Sequence, residues 1–161
     1  MKTTPSRRKK ILIVEDEDDF ATMLAYRLER KGYETVKAFD GWSGLQQMQT
    51  QRPDAIVLDL MLPKIVGLDI CRLIRRMPEV GRVPIYILTA LDMPGYRTNG
   101  LASGADGFFS KSHELPELLK RIETVLAEDQ AGTASVSAGL PPANKTSISL
   151  NKSGTWLPLV K

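Results

Sequence analysis

The chain has 161 residues, 42% hydrophobic and 25% charged, a composition that suits one soluble domain with some excess length. Its single cysteine, Cys71, excludes a disulfide framework and a cysteine-based zinc site, and points to a reducing cytoplasm. The net charge of +3 sits at the ends: the first ten residues carry five bases and no acid, and residues 129–161 carry three lysines against Asp129. Residues 11–128 are thus left at −4, so the charge pattern gives the folded body no nucleic-acid-binding surface. No apolar run has the length of a membrane span, and the N-terminus lacks the apolar core of a signal peptide.

Residues 1–9 are polar and basic and are expected to be disordered. Ile11–Val14 is an unbroken β-branched run, the mark of a strand buried on both faces. It leads into five carboxylates, Glu15 to Asp19. Glu17, Asp18 and Asp19 suit the start of a helix, where acids meet the positive end of the dipole, and read as a solvated first turn rather than extra metal ligands. Phe20, Met23, Leu24, Tyr26 and Leu28 continue at mostly helical spacing to Lys31-Gly32. Tyr33 to Phe39 is a weaker, alternating strand, and Asp40-Gly41 a turn. Trp42 to Gln51 is a short helix with Trp42, Leu45 and Met48 as its apolar face, broken by Arg52-Pro53.

Ala55–Leu58 is a second wholly apolar strand, ending in Asp59 and stopped by Pro63. Ile65 to Met77 is a helix with Cys71 as core filler. Pro84 to Thr89 is a third buried strand. Leu91 to Ser103 is expected to be helical against the pull of Pro94, Gly95 and Gly100. Asp106 to Ser110 is a short strand that ends at Lys111, and Glu114 to Glu128 is the clearest amphipathic helix. The single histidine, His113, reads as a surface loop residue. Five strand–helix units in alternation imply an α/β, three-layer (βα)5 sandwich around a parallel five-stranded sheet over residues 10–128. Residues 129–161 are rich in Ala, Gly, Ser, Thr and Pro without period, and read as a disordered tail or linker with an apolar island at Trp156–Val160.

The carboxyl ends of the strands carry Glu15-Asp16, Asp59, Thr89-Ala90 and Lys111. In a parallel sheet these ends converge on one edge, where ligands sit. Crowded carboxylates repel, and a hard divalent cation such as Mg²⁺ is the usual remedy. Lys111 adds a point positive charge, and Thr89 a hydroxyl. A carboxylate, a metal, a lysine and a hydroxyl are the parts that phosphoryl transfer onto an aspartate needs.

Four stretches in this order and spacing resemble the response-regulator receiver domain of two-component signalling. They are Ile11-Leu12-Ile13-Val14-Glu15-Asp16-Glu17, Pro53 to Pro63 around Asp59, Ile87-Leu88-Thr89-Ala90, and Gly104 to Lys111. The resemblance covers about residues 10–128 and is to the single-domain chemotaxis type. It implies the flavodoxin-like strand order 2-1-3-4-5. It implies Asp59 as phosphoacceptor from a phosphohistidine on a sensor histidine kinase or histidine phosphotransfer protein. Mg²⁺ would be held by Asp16, Asp59, the Met61 backbone carbonyl and, through water, Glu15. Lys111 would pair with the phosphoryl group, Thr89 would swing toward it, and Phe108 would turn inward behind Thr89. The readout would be the 92–128 face, acting on an unknown downstream protein as monomer or phosphorylation-dependent dimer, with no direct DNA binding and no membrane. Such a protein is a regulator that catalyses only its own phosphorylation and dephosphorylation.

Two departures stand out. Ser112 follows Lys111 where the family has proline, often cis, so Lys111–Ser112 is trans or strained, a non-proline cis bond costing about 2.5–4 kcal/mol. Phe108 replaces the commoner tyrosine. Met61 and Leu91, two residues past Asp59 and Thr89, are apolar and cannot orient a water, which implies slow self-dephosphorylation. Two rivals are weaker. An aspartate-nucleophile phosphatase wants an acid where Met61 stands, and a phosphorylation-independent docking module has no need of Glu15, Asp16, Asp59, Thr89 and Lys111 together.

Overall fold

A computed structural model describes residues 7–131, 148–150 and 156–158. Five strands, β1 (Lys10–Val14), β2 (Glu34–Ala38), β3 (Ala55–Leu58), β4 (Ile85–Thr89) and β5 (Gly107–Ser110), form one parallel sheet in the order β2-β1-β3-β4-β5. Helices α1 (Asp18–Glu29), α2 (Gly41–Gln51), α3 (Gly67–Arg75), α4 (Pro94–Ala102) and α5 (Leu115–Ala131) alternate with them. The fold has the flavodoxin-like strand order that the resemblance implies.

The unbroken apolar strands split by the pleat, because successive side chains point to opposite faces. Ile11, Ile13, Ala55, Val57, Tyr86 and Leu88 pack against α1 and α5. Leu12, Val14, Ile56, Leu58 and Ile85 pack against α2 and α3, with Cys71 fully buried among them. Both faces of β1, β3 and β4 are therefore core, which is why these strands read as continuous rather than alternating runs.

Local chemistry sets the helix ends. Asp40 accepts a hydrogen bond from the Ser43 backbone N–H at 2.8 Å, and Ser43 Oγ accepts from the Asp40 N–H at 3.3 Å, a capping box at the start of α2. The first turn of α1 is acidic and exposed at Asp18 and Asp19, as expected of a solvated start. Pro94 sits at the first position of α4, so Leu91, Asp92 and Met93 remain loop and the helix is shorter than the expected Leu91–Ser103.

Trp42 is not a packing residue. Gly41, Gly44, Leu45 and Met48 form the buried stripe of α2, at i, i+3, i+4 and i+7, and Trp42 lies off it at 38% exposure. A Cβ on Gly44 would lie 3.0 Å from Val14 Cγ1, so the glycines bring the helix close to the sheet while the indole faces outward. Tyr26 is likewise exposed.

Part of the expected irregular tail has regular structure. Strands β6 (Ile148–Leu150) and β7 (Trp156–Pro158) pair antiparallel, with Leu150 opposite Trp156. Three-residue strands are too short to show a period in sequence. The rest of the tail after Ala131, and residues 1–6, lie outside the described residues. At the other end, the Arg7 guanidinium forks onto both Asp54 carboxylate oxygens at 3.0 and 3.1 Å, and the Lys10 backbone N–H donates to Asp54 at 2.7 Å. Among the described residues no helix is long and apolar enough to cross a membrane.

Candidate functional site: an acidic edge closed by one lysine

Glu15 directly follows β1, Asp59 follows β3, Thr89 ends β4 and Lys111 follows β5. The Asp59 N–H donates to the Val14 carbonyl at 3.0 Å, the Glu15 N–H to the Ala38 carbonyl at 2.9 Å, and the Lys111 N–H to the Thr89 carbonyl at 2.9 Å. The backbone at each of these positions is therefore fixed by the strand beside it. Glu15, Asp59 and Thr89 are buried and Asp16 is exposed.

Lys111 Nζ lies 2.6 Å from Glu15 Oε2 and 2.9 Å from Asp59 Oδ2. It also stands 4.4 Å from the centre of the Phe20 ring. Burial alone would lower the Lys111 pKa, but hydrogen bonds and charge from both carboxylates outweigh it and hold the ammonium above the ordinary lysine range. The second oxygen of Asp59, Oδ1, accepts from the Met61 N–H at 3.1 Å. Glu15 Oε1 accepts from the Glu17 N–H at 3.1 Å. Burial pushes the Glu15 carboxyl up, Asp59 adds to the push, and the hydrogen bonds from Lys111 and Glu17 offset only part of it. One ammonium thus serves two buried carboxylates and leaves charge uncompensated.

Glu15, Asp16 and Asp59 each offer an oxygen within 4.8 Å of the others. An all-oxygen set of three carboxylates matches the preference of Mg²⁺ for a few hard ligands with room left over. Gly67 at the start of α3 packs closely against the backbone of Asp59 and Leu60. A Cβ there would overlap the Asp59 carbonyl oxygen and lie 2.8 Å from Leu60 Cα, so only glycine lets α3 close over the end of β3.

The Thr89 hydroxyl accepts from the Leu91 N–H at 3.3 Å. Phe108 is inward, 4% exposed, in a small cluster with Leu60 and Ile87. No peptide among the described residues is cis, so Lys111–Ser112 is trans, and Lys111 reaches both carboxylates without a following proline. Met61 is 56% exposed and Leu91 packs partly against the Phe108 cluster. His113 is exposed, 3.4 Å from Asp92. The sequence pattern draws together Glu15, Asp16, Asp59, Thr89 and Lys111, but not Phe20 or Gly67. Phe20 reads as core, and a lone glycine after a loop carries no contact information.

A doubly wound parallel sheet in this strand order, with acids and a lysine at its carboxyl edge, defines the receiver class of α/β domains. The chain belongs to the response regulator receiver domain family, whose model matches residues 11–123, and is therefore a receiver domain of two-component systems. It is 39% identical over 127 residues to the alkaline phosphatase synthesis transcriptional regulatory protein PhoP of Bacillus subtilis, covering 79% of this chain and 52% of PhoP. It is 39% identical over 117 residues to the phosphate regulon transcriptional regulatory protein PhoB of Rhizobium meliloti, covering 73% and 52%. The chain spans about half the length of these curated relatives. Among solved structures, it is similar to the chemotaxis response regulator CheY4 of Vibrio cholerae, with a TM-score of 0.68 and 30% identity over 74% of this chain and 99% of that one. It is also similar to the beryllofluoride-activated receiver domain of Klebsiella pneumoniae RstA, with a TM-score of 0.67 and 29% identity over 72% and 97%.

Proposed function

We propose that this domain is a phosphorylation switch in which Asp59 takes a phosphoryl group from a phosphohistidine of a cytoplasmic kinase or phosphotransfer protein. The observation that carries this reading is Lys111 Nζ, held 2.9 Å from Asp59 and 2.6 Å from Glu15 at the edge of a three-carboxylate cluster. An Asp59 carboxylate oxygen forms the new bond to phosphorus. The bond from phosphorus to the imidazole nitrogen breaks, and the imidazole keeps the electron pair and takes up a proton. Glu15, Asp16, Asp59 and the Met61 carbonyl would hold Mg²⁺, which supplies charge neutralisation for the crowded acids and the incoming phosphoryl oxygens. Before the reaction Lys111 keeps its ammonium beside Asp59, since its two carboxylate partners hold its pKa up.

The product carries roughly two negative charges and three acceptor oxygens where Asp59 carried one charge. Lys111 and the Thr89 hydroxyl can bind those oxygens only in that state, and such differential contact is what shifts a conformational equilibrium. The 92–128 face, which follows Thr89 and includes Lys111, is the surface a downstream protein would read. On this reading the domain is a regulator and not an enzyme acting on another substrate.

The test is intact mass after incubation with Mg²⁺ and acetyl phosphate. One phosphoryl adduct is expected, absent from Asp59→Ala and absent without Mg²⁺. An unchanged mass, together with no Mg²⁺-dependent beryllofluoride binding, overturns the reading.

A further inference from the structure

Helix α4 contributes little apolar surface to the core. Met93, just before it, and its own Tyr96 and Leu101 are exposed, and only Gly100 is buried. Yet Arg97 and Gly100, three residues apart and so on one face of the helix, both meet the Phe108 ring. A Cβ on Gly100 would lie 2.8 Å from Phe108 Cδ2 and 2.9 Å from Ile87 Cδ1, so the helix backbone rests directly on the ring. The Arg97 guanidinium lies over the ring, with Cζ 5.0 Å from its centre. Leu60 and Ile87 complete the surround.

Arg97 is itself fixed by polar contacts. Nη1 donates to the Phe108 carbonyl oxygen at 2.8 Å. Nη2 donates to Glu114 Oε2 at 2.7 Å and stands 3.5 Å from Asp92 Oδ1. Glu114 Oε2 also accepts from the Ser110 N–H at 2.7 Å. Asp92 is three residues past Thr89, and Ser110 directly precedes Lys111. One guanidinium therefore ties the segment that carries Thr89 to the segment that carries Lys111, while it covers Phe108.

We propose that Arg97 is a positioning residue which, with Gly100, seats Phe108 inward and couples the Thr89 and Lys111 segments. The seat consists of this chain's own groups, so it holds the ring with no phosphoryl group on Asp59. The ring is then pre-set, and the inward fraction f scales the apparent affinity of whatever binds that state, with Kd,app equal to Kd divided by f. This last step rests on the phosphoacceptor reading; the seat does not.

The test labels the chain with 4-fluorophenylalanine and assigns the Phe108 resonance by Phe108→Leu. In the wild-type protein this fluorine is expected to be shielded from a soluble paramagnetic quencher. Arg97→Met, which keeps length but loses charge and donors, is expected to give a second, quenched resonance while the far-UV spectrum stays native. Gly100→Ala, whose Cβ competes with the ring for space, is expected to do the same. Affinity for beryllofluoride with Mg²⁺ is expected to fall about fivefold in Arg97→Met, a loss at the low end of ordinary coupling between sites, and to match the measured inward fraction. A shielded single resonance in both folded variants overturns the proposal, and so does an affinity loss unmatched by ring exposure. Ring release in the variants with no beryllofluoride response in the wild type supports the seat and removes the phosphoacceptor reading instead.

Discussion

At the residue scale the site is a shortage of positive charge. Lys111 neutralises one unit, but Glu15 and Asp59 both face it from buried positions. The Glu15 carboxyl consequently sits above its ordinary value of 4.5, through burial first and Asp59 second. A carboxyl raised by folding contributes most below its unfolded value, and that contribution is lost as pH rises through the folded value. Glu15→Gln is therefore expected to make the metal-free protein more stable than wild type at neutral pH, with the gain fading as pH falls toward 4.5. Urea denaturation across that range checks it, and the same variant is expected to bind Mg²⁺ more weakly. A second residue-scale expectation concerns Met61 and Leu91. Neither side chain can hydrogen-bond a water beside Asp59, so Met61→Asn or Leu91→Gln is expected to shorten the lifetime of the phosphorylated form. Following decay of the phosphorylated mass after donor removal measures it, and unchanged decay in both counts against the idea.

At the element scale, helix α2 shows how much one cap can do. It has no basic last turn, no acid in its first turn and two buried glycines, so its own propensity is poor. Asp40 compensates by taking up the Ser43 N–H, and that hydrogen bond is the main reason its carboxyl lies below the ordinary 3.8. Asp40→Ala is expected to cost about 1 kcal/mol, the usual value of such a cap. A carboxyl lowered by folding contributes fully above its unfolded value, and the contribution is lost as pH falls through the folded one. The difference between wild type and Asp40→Ala is thus expected to be constant near neutrality and to close below about pH 3.8, as read from urea midpoints. Helix α4 makes the opposite case: it is held less by apolar burial than by Arg97 and the Phe108 ring.

For the whole molecule, metal binding at the acidic edge is expected to be linked to folding. Mg²⁺ bound by the native carboxylate cluster but not by the unfolded chain stabilises by RT ln(1 + [Mg²⁺]/Kd). Above Kd each tenfold rise in Mg²⁺ is expected to add about 1.4 kcal/mol to the unfolding free energy. Asp16→Ala is expected to flatten that dependence without disturbing the sheet, since Asp16 is exposed and lies outside both β1 and α1. Equal Mg²⁺ dependence in the variant and wild type would remove Asp16 from the ligand set.

Hydrophobic pattern determined most of the alternation of strands and helices, because a strand buried on both faces reads as an unbroken apolar run. Ala55–Leu58 matches its strand residue for residue, Glu15, Asp16 and Asp59 follow such strands, and Lys111 follows the alternating β5. The edge on which they meet follows from parallel topology. Tertiary contact decided what spacing does not encode. Trp42 looked like core by its period with Leu45 and Met48, but Gly41 and Gly44 let the helix dock through backbone and turned the indole to solvent. Lys111 lacks a following proline, yet it is aimed by the Thr89 carbonyl and by two carboxylates from distant strands. Arg97 carries no local signal at all: its partners Asp92, Phe108 and Glu114 come from three different segments, and only folding brings them to one guanidinium.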